Sequence, residues 1–188
     1  MKLPEPMVLQ VSFDADQISG QLDWKVLPNC EPLTGRHAGA ILFEPGAELG
    51  LEVTGYGKPY GDFQSFQIVE CCIITRPQVV QIGSKNVPVR YAAPSPFVQG
   101  IGASLALEND FDPLPPVIDP DGTRAITQRW KHQLNVNQAP GRWNLSFLLT
   151  LRMLRGEGQV QETRVFYFDP ESEVGDGSNP GRPQRKPE

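Results

Sequence analysis

The chain has few of the residues that acid–base, nucleophilic or metal catalysis usually requires. Its 188 residues include two histidines, His37 and His132, and three cysteines. The sequence contains neither the Gly-x-Ser-x-Gly motif of serine hydrolases nor the His-Glu-x-x-His motif of zinc peptidases. Cys30 and His132 are the candidates for a reactive group, but their spacing does not pair a nucleophile with a base. We therefore expect a protein without enzymatic activity.

Signals for disulfides, secretion and membrane insertion are also missing. The cysteine number is odd, and the adjacent residues Cys71 and Cys72 would point to opposite faces of a strand. The first residues, MKLPEPMVLQVSF, lack the apolar core of a secretory signal. No apolar run approaches the roughly 18 residues of a membrane-spanning helix. These features predict a cytoplasmic protein in a reducing environment.

Basic residues are fewer than acidic residues in this chain. Seventeen lysines and arginines face 22 aspartates and glutamates, which gives a formal net charge of −5. Nucleic acids and anionic membranes both require a basic surface, so we expect neither as the main partner. A protein partner or a second copy of the chain, as in a homo-oligomer, fits this charge better. Such contacts would use exposed strand edges or an apolar patch.

Glycine and proline are abundant and limit the fold class. The 18 glycines and 19 prolines interrupt the chain too often for long helices. About nine segments with strand-like patterns follow one another at short spacing. This predicts an all-β protein, an antiparallel β-sandwich, with a closed β-barrel as the alternative. We expect one domain over residues 1–170 and, from its polar composition, a disordered tail over residues 171–188.

The strongest structural signal lies in residues 141–169. Alternate residues of its first half are apolar, which places them on one buried face of a strand: Trp143, Leu145, Phe147, Leu149, Leu151 and Met153. Residues 160–168 are rich in β-formers, and Gly156 and Gly158 supply the positive φ of a tight reversal. The pattern predicts a long antiparallel hairpin at the centre of the core.

The other strand predictions rest on weaker patterns. Alternation predicts strands over residues 18–26 and over residues 123–136, where His132 shares a face with Trp130. The nearly continuous apolar run over residues 65–75 predicts a central strand covered on both faces. Further strands are expected over residues 7–13, 38–43, 48–54 and 98–107.

Residues 55–63 are predicted to form an exposed loop that carries a binding site. The loop contains three glycines together with aromatic and charged residues that are typical of contact surfaces: Tyr56, Lys58, Tyr60, Asp62 and Phe63. Anchoring of the loop is the structural alternative for the same residues. This loop supports a second functional hypothesis, a binding module for a small ligand or a glycan.

Residues 108–122 form a predicted acidic and proline-rich loop. It contains four aspartates, Asp110, Asp112, Asp119 and Asp121, whose carboxylates are the ligands that Ca²⁺ prefers. The EF-hand pattern is absent, and the adjacent prolines and Gly122 also suit a solvated cluster of turns. The hypothesis is therefore a Ca²⁺-assisted ligand site at these four aspartates; we expect no other cofactor.

The C-terminal third resembles the bacterial inclusion-body protein family of the AidA/PixA type. The resemblance rests on the Pro140-Gly141-Arg142-Trp143 turn, the LSFLLTL strand, and the aromatic Asp-Pro motif of Phe166, Tyr167, Phe168, Asp169 and Pro170. It implies a cytoplasmic bacterial β-sandwich without established enzymatic activity, and it transfers no catalytic residue. The hypothesis that follows is a self-associating or partner-binding protein with a role in bacterial stress or host association.

Overall fold

The computed structural model describes residues 5–28, 41–156, 160–168 and 171–174. These residues form strands and no helix. In chain order the strands are β1 (Met7–Asp14), β2 (Asp23–Leu27), β3 (Ile41–Phe43), β4 (Glu48–Gly57), β5 (Phe63–Pro77), β6 (Val79–Gln81), β7 (Arg90–Tyr91), β8 (Ser104–Ala106), β9 (Phe111–Pro113), β10 (Val117–Ile118), β11 (Arg124–Trp130), β12 (Leu134–Asn135), β13 (Gly141–Arg155), β14 (Val160–Phe168) and β15 (Glu171–Val174). The all-β prediction is confirmed.

Two sheets pack face to face, and a small ribbon extends from one of them. The first sheet has the order β10-β11-β4-β1-β2, with β12 beside β4 and β9 beside β11. The second has the order β3-β15-β13-β5-β8, with β14 beside β13, and the ribbon is the pair β6-β7. Within the described residues neither sheet closes on itself, so the sandwich prediction is confirmed and the alternative of a closed barrel is not.

Among the strands of the described residues, most pairs are antiparallel, but two are parallel. Strand β1 runs parallel to β4 over its whole length, and β15 runs parallel to β3. The other ten pairings are antiparallel. A parallel neighbour needs a long connection, and residues 15–47 supply one between β1 and β4.

Strand β13 is the central element of the second sheet, as its alternating sequence predicts. It pairs with β5 along one edge and with β15 and then β14 along the other. Every second side chain from Trp143 to Met153 is at most 5% exposed. The opposite face is half-buried or exposed, so β13 buries one face only.

Aromatic rings join the two sheets in the core. The ring of Phe13 on β1 lies 5.3 Å from that of Phe66 on β5 and 4.9 Å from that of Phe166 on β14. Trp24 on β2 stacks on Phe168 at 5.4 Å. Because such rings bury large apolar areas, these contacts fix how the sheets pack against each other.

Three predicted strands are shorter or differently placed than expected. The predicted strand over residues 18–26 begins only at Asp23, because Gln17 bonds the backbone of Asp14, Ser19 and Gln21 and holds a turn. Strand β5 is not covered on both faces: its burial alternates, with a bulge where the register against β13 shifts. Of the segment 98–107, only Ser104–Ala106 is a strand.

Two loop boundaries also differ from the expectation. The prediction of a tail from residue 171 is wrong for its first four residues, because Glu171–Val174 forms β15 between β13 and β3. Residues 175–188 lie outside the described residues, and disorder there stays a prediction. The predicted loop over residues 55–63 is really a five-residue connection over residues 58–62, because Gly55 and Gly57 belong to β4 and Phe63 begins β5.

Candidate functional site

The connection between β4 and β5 is a tight turn that presents Tyr60 to solvent. The amide of Gly61 donates to the carbonyl of Lys58 at 3.0 Å, which closes a four-residue turn. Pro59 occupies its second position, and Tyr60 occupies the third with a φ of 60°. Tyr60 is fully exposed.

Tyr60 stands where a turn of this kind favours glycine. A proline at the second position followed by a positive φ at the third is typical of a type II turn, whose third residue is normally glycine or asparagine. A bulky side chain in this backbone region costs about 1 kcal/mol or more. The chain thus holds an aromatic ring in solvent at a local energetic cost.

Other exposed apolar side chains lie at the same end of the sandwich. Tyr56 pairs in register with Ala125, and Ala125 pairs with Val117 of edge strand β10, so the three lie in one row of the first sheet. Gly122, which follows β10, lies against Pro59 of the Tyr60 turn. We call this surface the Tyr60 end and define it by its exposed apolar residues: Ile18, Tyr56, Tyr60, Val117 and Ile118.

An arginine beneath the turn ties three segments together at this end. The guanidinium of Arg155 donates to Asp62 at 2.8 Å, to Asp16 at 2.9 Å and to Glu162 at 3.3 Å, and it also bonds the carbonyl of Ala15. Its side chain is 15% exposed. Lys58 adds a second cation 3.6 Å from Asp16.

The ion pairs shift the titration of their members. The hydrogen bond from Arg155 is the main cause that lowers the pKa of Asp16 below its ordinary value. Burial acts to lower the pKa of Arg155, but the bonds to Asp62, Asp16 and Glu162 outweigh it and raise that pKa. Both groups therefore stay charged at neutral pH, and they hold the turn as a structural clamp.

The five residues predicted for the loop site divide into three groups. Tyr56 and Tyr60 are exposed, as a contact surface requires. Lys58 and Asp62 are held in ion pairs to Asp16 and Arg155. The prediction that Phe63 belongs to the site is wrong, because Phe63 is 3% exposed and packs on Phe13 in the core.

The four aspartates of the predicted Ca²⁺ site are not brought together. Asp110 and Asp112 lie 2.7 and 3.2 Å from the ammonium of Lys131, whereas Asp121 bonds the backbone and hydroxyl of Thr123. Across the described residues, no group of three or more acidic, histidine or cysteine side chains is arranged to hold a metal ion. The prediction of a four-aspartate site is therefore wrong, because Lys131 pairs with Asp110 and Asp112 and a local turn holds Asp121.

His132 lies in a turn rather than in the predicted strand. Strand β11 ends at Trp130 and β12 begins at Leu134. The Nε2 atom of His132 is 3.4 Å from carboxylate oxygens of both Glu108 and Asp110, and its ring packs edge-on against Trp130. Its side chain is exposed but lies against Trp130, which belongs to the core, so the predicted neighbourhood of these two residues is observed although the strand is not.

The thiols offer no activated nucleophile in the described part of the chain. Cys71 is buried, and desolvation raises the pKa of its thiol, which favours the protonated form. Cys72 faces the other side of β5 and lies 3.5 Å from the hydroxyl of Ser104. Cys30, the other candidate for a reactive group, lies outside the described residues, as does His37.

At the other end of β5, the ribbon exposes a second apolar surface that sequence reasoning did not single out. We call it the ribbon end and define it by five exposed side chains: Val79, Ile82, Val87, Val89 and Tyr91. The ribbon is attached at its base, where the backbone amide of Gln78 donates to the carbonyl of Arg142. The side-chain amide of Gln78 donates to the side-chain oxygen of Asn144. One signal could have found it: residues 71–107 contain Arg76, Lys85 and Arg90 and no acidic residue.

A small cavity between the sheets does not add a ligand site. Its lining is wholly apolar and includes Leu9, Phe97 and Phe147. It has room for about one water molecule, and its walls offer no polar group that would orient a ligand.

Comparison with known proteins does not assign the chain to a family. No protein-family model matches the sequence, and no curated protein matches it significantly. The described residues include no helix long and apolar enough to cross a membrane.

Proposed function

We propose that this protein works without catalysis, by protein–protein contact and self-association, and that the Tyr60 end is one of its contact surfaces. The observation that carries the proposal is Tyr60, a fully exposed aromatic ring held at a positive φ. Backbone strain at an exposed residue points to selection for the side chain rather than for stability. Tyrosine also supplies large contact area at a small cost in conformational entropy.

The surroundings of Tyr60 support a protein contact. Exposed Ile18, Val117 and Ile118 lie at the same end of the sandwich, and exposed apolar side chains of this kind are typical of interaction sites. The Arg155 clamp fixes the turn before any partner arrives, which reduces the entropy lost on binding.

The proposal includes a cytoplasmic location. Cys71 and Cys72 are both free thiols, as a reducing compartment favours. A role in bacterial stress or host association remains part of the same proposal and follows from the family resemblance.

Glycan binding has less support as the function of the same loop. The ring of Tyr60 offers a face on which a sugar could stack. However, the charged groups expected to bond sugar hydroxyls, Lys58 and Asp62, are held in ion pairs. Only the two tyrosines of the predicted set remain available.

The variant Tyr60→Gly tests the proposed contact. Glycine suits the positive φ, so the free energy of unfolding should stay unchanged or rise by up to about 1 kcal/mol. Self-association, followed by sedimentation velocity from dilute to concentrated solution, should weaken about tenfold, because interface aromatics often contribute a kcal/mol or more. Tyr60→Phe keeps the ring and serves as the matched control. A wild-type protein that stays strictly monomeric at every concentration would disprove self-association.

A further inference from the structure

One edge of strand β5 is open in the half that follows the Tyr60 turn. Strand β8 pairs with β5 on this edge, but only at Cys72, Ile73 and Ile74. The other pairing of β5 is with β13 along the opposite edge, so in the described residues no strand lies beside residues 63–70 on the open side. Backbone groups at such an edge are ready to accept a further strand.

A side chain already bonds one backbone group of this open edge. The side-chain amide of Gln128 on β11 donates to the carbonyl of Phe66 at 2.7 Å. Residues two apart in a strand present their N–H and C=O groups to the same edge, so Ile68 shares this edge with Phe66. A partner strand would pair with both residues and would replace the single bond from Gln128.

The first sheet extends past this open edge, and the described part of the second sheet places no strand beneath it. Ile118 of β10 pairs in register with Arg124, and the next residue of β11 on the same face is the buried Ile126. Ile118 therefore belongs to the face that the first sheet turns toward the second, yet it is 70% exposed. Pro113 of β9 pairs in register with Gln128 and is exposed on the same face. A strand added beside β5 would cover both side chains.

Arg124 places a positive charge without an ion pair beside the open edge. Its Nη1 donates to the side-chain oxygen of Gln64 on β5 at 3.2 Å, and its Nε is buried without a hydrogen-bond partner, alone among the buried side-chain atoms of the described residues. Asp121, the nearest acidic residue in sequence, bonds Thr123 instead. Arg155, in contrast, bonds three carboxylates. A guanidinium that lacks such a partner is suited to bind a carboxylate from another chain.

We infer that an extended, acidic segment of a partner protein binds to this open edge of β5, beside Arg124 and Ile118. This inference rests on the proposed protein contact at the Tyr60 end and names the chemistry of the partner. The backbone of the segment would pair with Phe66 and Ile68. Its inward side chains would cover Ile118 and set a carboxylate against Arg124. In this mode of recognition, backbone hydrogen bonds supply affinity and alternate side chains supply specificity.

A pair of capped peptides tests the charge and the edge together. In the peptide Thr-Val-Thr-Glu-Thr-Val-Thr, the glutamate and the two valines share one face of a strand. The control peptide has glutamine in place of the glutamate. We expect the wild-type chain to bind the glutamate peptide about tenfold more tightly than the control, with a dissociation constant of about 0.1 to 1 mM for so small a contact. Isothermal titration calorimetry measures both.

Two arginine variants show whether Arg124 recognises the glutamate. Arg124→Gln should remove the tenfold preference, whereas Arg90→Gln, the same change of charge on the ribbon, should keep it. Because Arg124 makes no ion pair within the described residues, Arg124→Gln should fold as wild type does. Amide exchange locates the bound peptide: exchange should slow at Phe66 and Ile68 and stay unchanged at Ala92, next to the ribbon.

The outcomes separate this inference from the proposed function. No binding of the glutamate peptide up to about 5 mM, or a preference that survives Arg124→Gln, overturns the inference. If Tyr60→Gly still weakens self-association in either case, the proposed function stands without it. If the peptide shows no preference but Arg124→Gln weakens self-association, a second copy covers this edge and the acidic segment is disproved. Peptide binding by a chain that is strictly monomeric supports the inference and disproves self-association.

Discussion

The Tyr60 end and the ribbon end expose apolar side chains to a similar extent, but they are held to the core in different ways. At the Tyr60 end, Arg155 joins three segments through side-chain ion pairs. At the ribbon end, the backbone amide of Gln78 donates to the carbonyl of Arg142, and Trp143 packs beneath the ribbon and donates to the carbonyl of Ala93. The structure of the Tyr60 end thus depends on ion pairs, whereas the structure of the ribbon end depends on buried packing.

This difference has consequences for dynamics and for binding. The strength of an ion pair changes with pH and salt concentration, whereas the packing of a buried indole ring does not. The Tyr60 end should therefore loosen in acid while the ribbon end stays fixed. At neutral pH the clamped turn is the surface with more hydrogen bonds to the rest of the sandwich, and the ribbon is the surface with fewer.

The largest effect is expected from removing the anchor of the ribbon end. Trp143 is 1% exposed, and its Nε1 donates to the carbonyl of Ala93 at 2.7 Å. Trp143→Ala should lower the free energy of unfolding by about 3 to 5 kcal/mol through the cavity it leaves. Trp143→Phe keeps most of the packing and should cost about 1 to 2 kcal/mol, because Ala93 loses its donor. Denaturant titration measures both.

Amide exchange shows whether the effect of this change is local. In Trp143→Phe, which stays folded, the amide of Ala92, bonded to Gln78, should exchange faster. The amide of Gly61 in the Tyr60 turn should not change. Equal acceleration at both ends would show that the two surfaces are not anchored independently.

The next effect is expected from removing the clamp of the Tyr60 end. Arg155→Met removes the cation that Asp16, Asp62 and Glu162 share and leaves only the longer contacts of Asp16 with Lys58 and of Glu162 with Arg164. Because these carboxylates are partly exposed, we expect a loss of about 2 to 3 kcal/mol in the free energy of unfolding, less than for a fully buried charge. Arg152→Met, at an exposed position of the same strand, is the control and should change stability by less than about 0.5 kcal/mol. A similar loss in both variants would contradict a specific clamp.

The central strand shows what the sequence could predict. The alternation from Trp143 to Met153 is visible in one stretch, because a strand's period of two needs no information from elsewhere in the chain. The positive φ of Gly46 and of Gly156 follows from local turn chemistry in the same way.

Features made by distant segments could not be predicted. Gly55 and Gly57 suggested a loop, but they are glycines because the rings of Phe13 and Phe63 lie where their Cβ atoms would be. Arg155 precedes Gly156 of the predicted reversal, and only the fold places it beside Asp16, 139 residues away in sequence. The aspartates of residues 108–122 suggested a metal site because sequence spacing does not show that Lys131 already neutralises two of them.

The smallest expected effect is a pH-dependent change in the free energy of unfolding at Asp16, and it distinguishes the two ends most directly. Arg155 lowers the pKa of Asp16 below its ordinary value of 3.8. A carboxyl group with a lowered pKa contributes stability that is fully present above the ordinary pKa and is lost as pH falls through the lowered value. Asp16→Asn should therefore lower the free energy of unfolding by about 0.5 to 1 kcal/mol at neutral pH, since Asp16 is about a third exposed, and the difference from wild type should disappear in strong acid. Trp143→Phe carries no titrating group, and its loss should be the same at both pH values. A destabilisation by Asp16→Asn that persists unchanged in acid would show that Asp16 acts through packing and not through its charge.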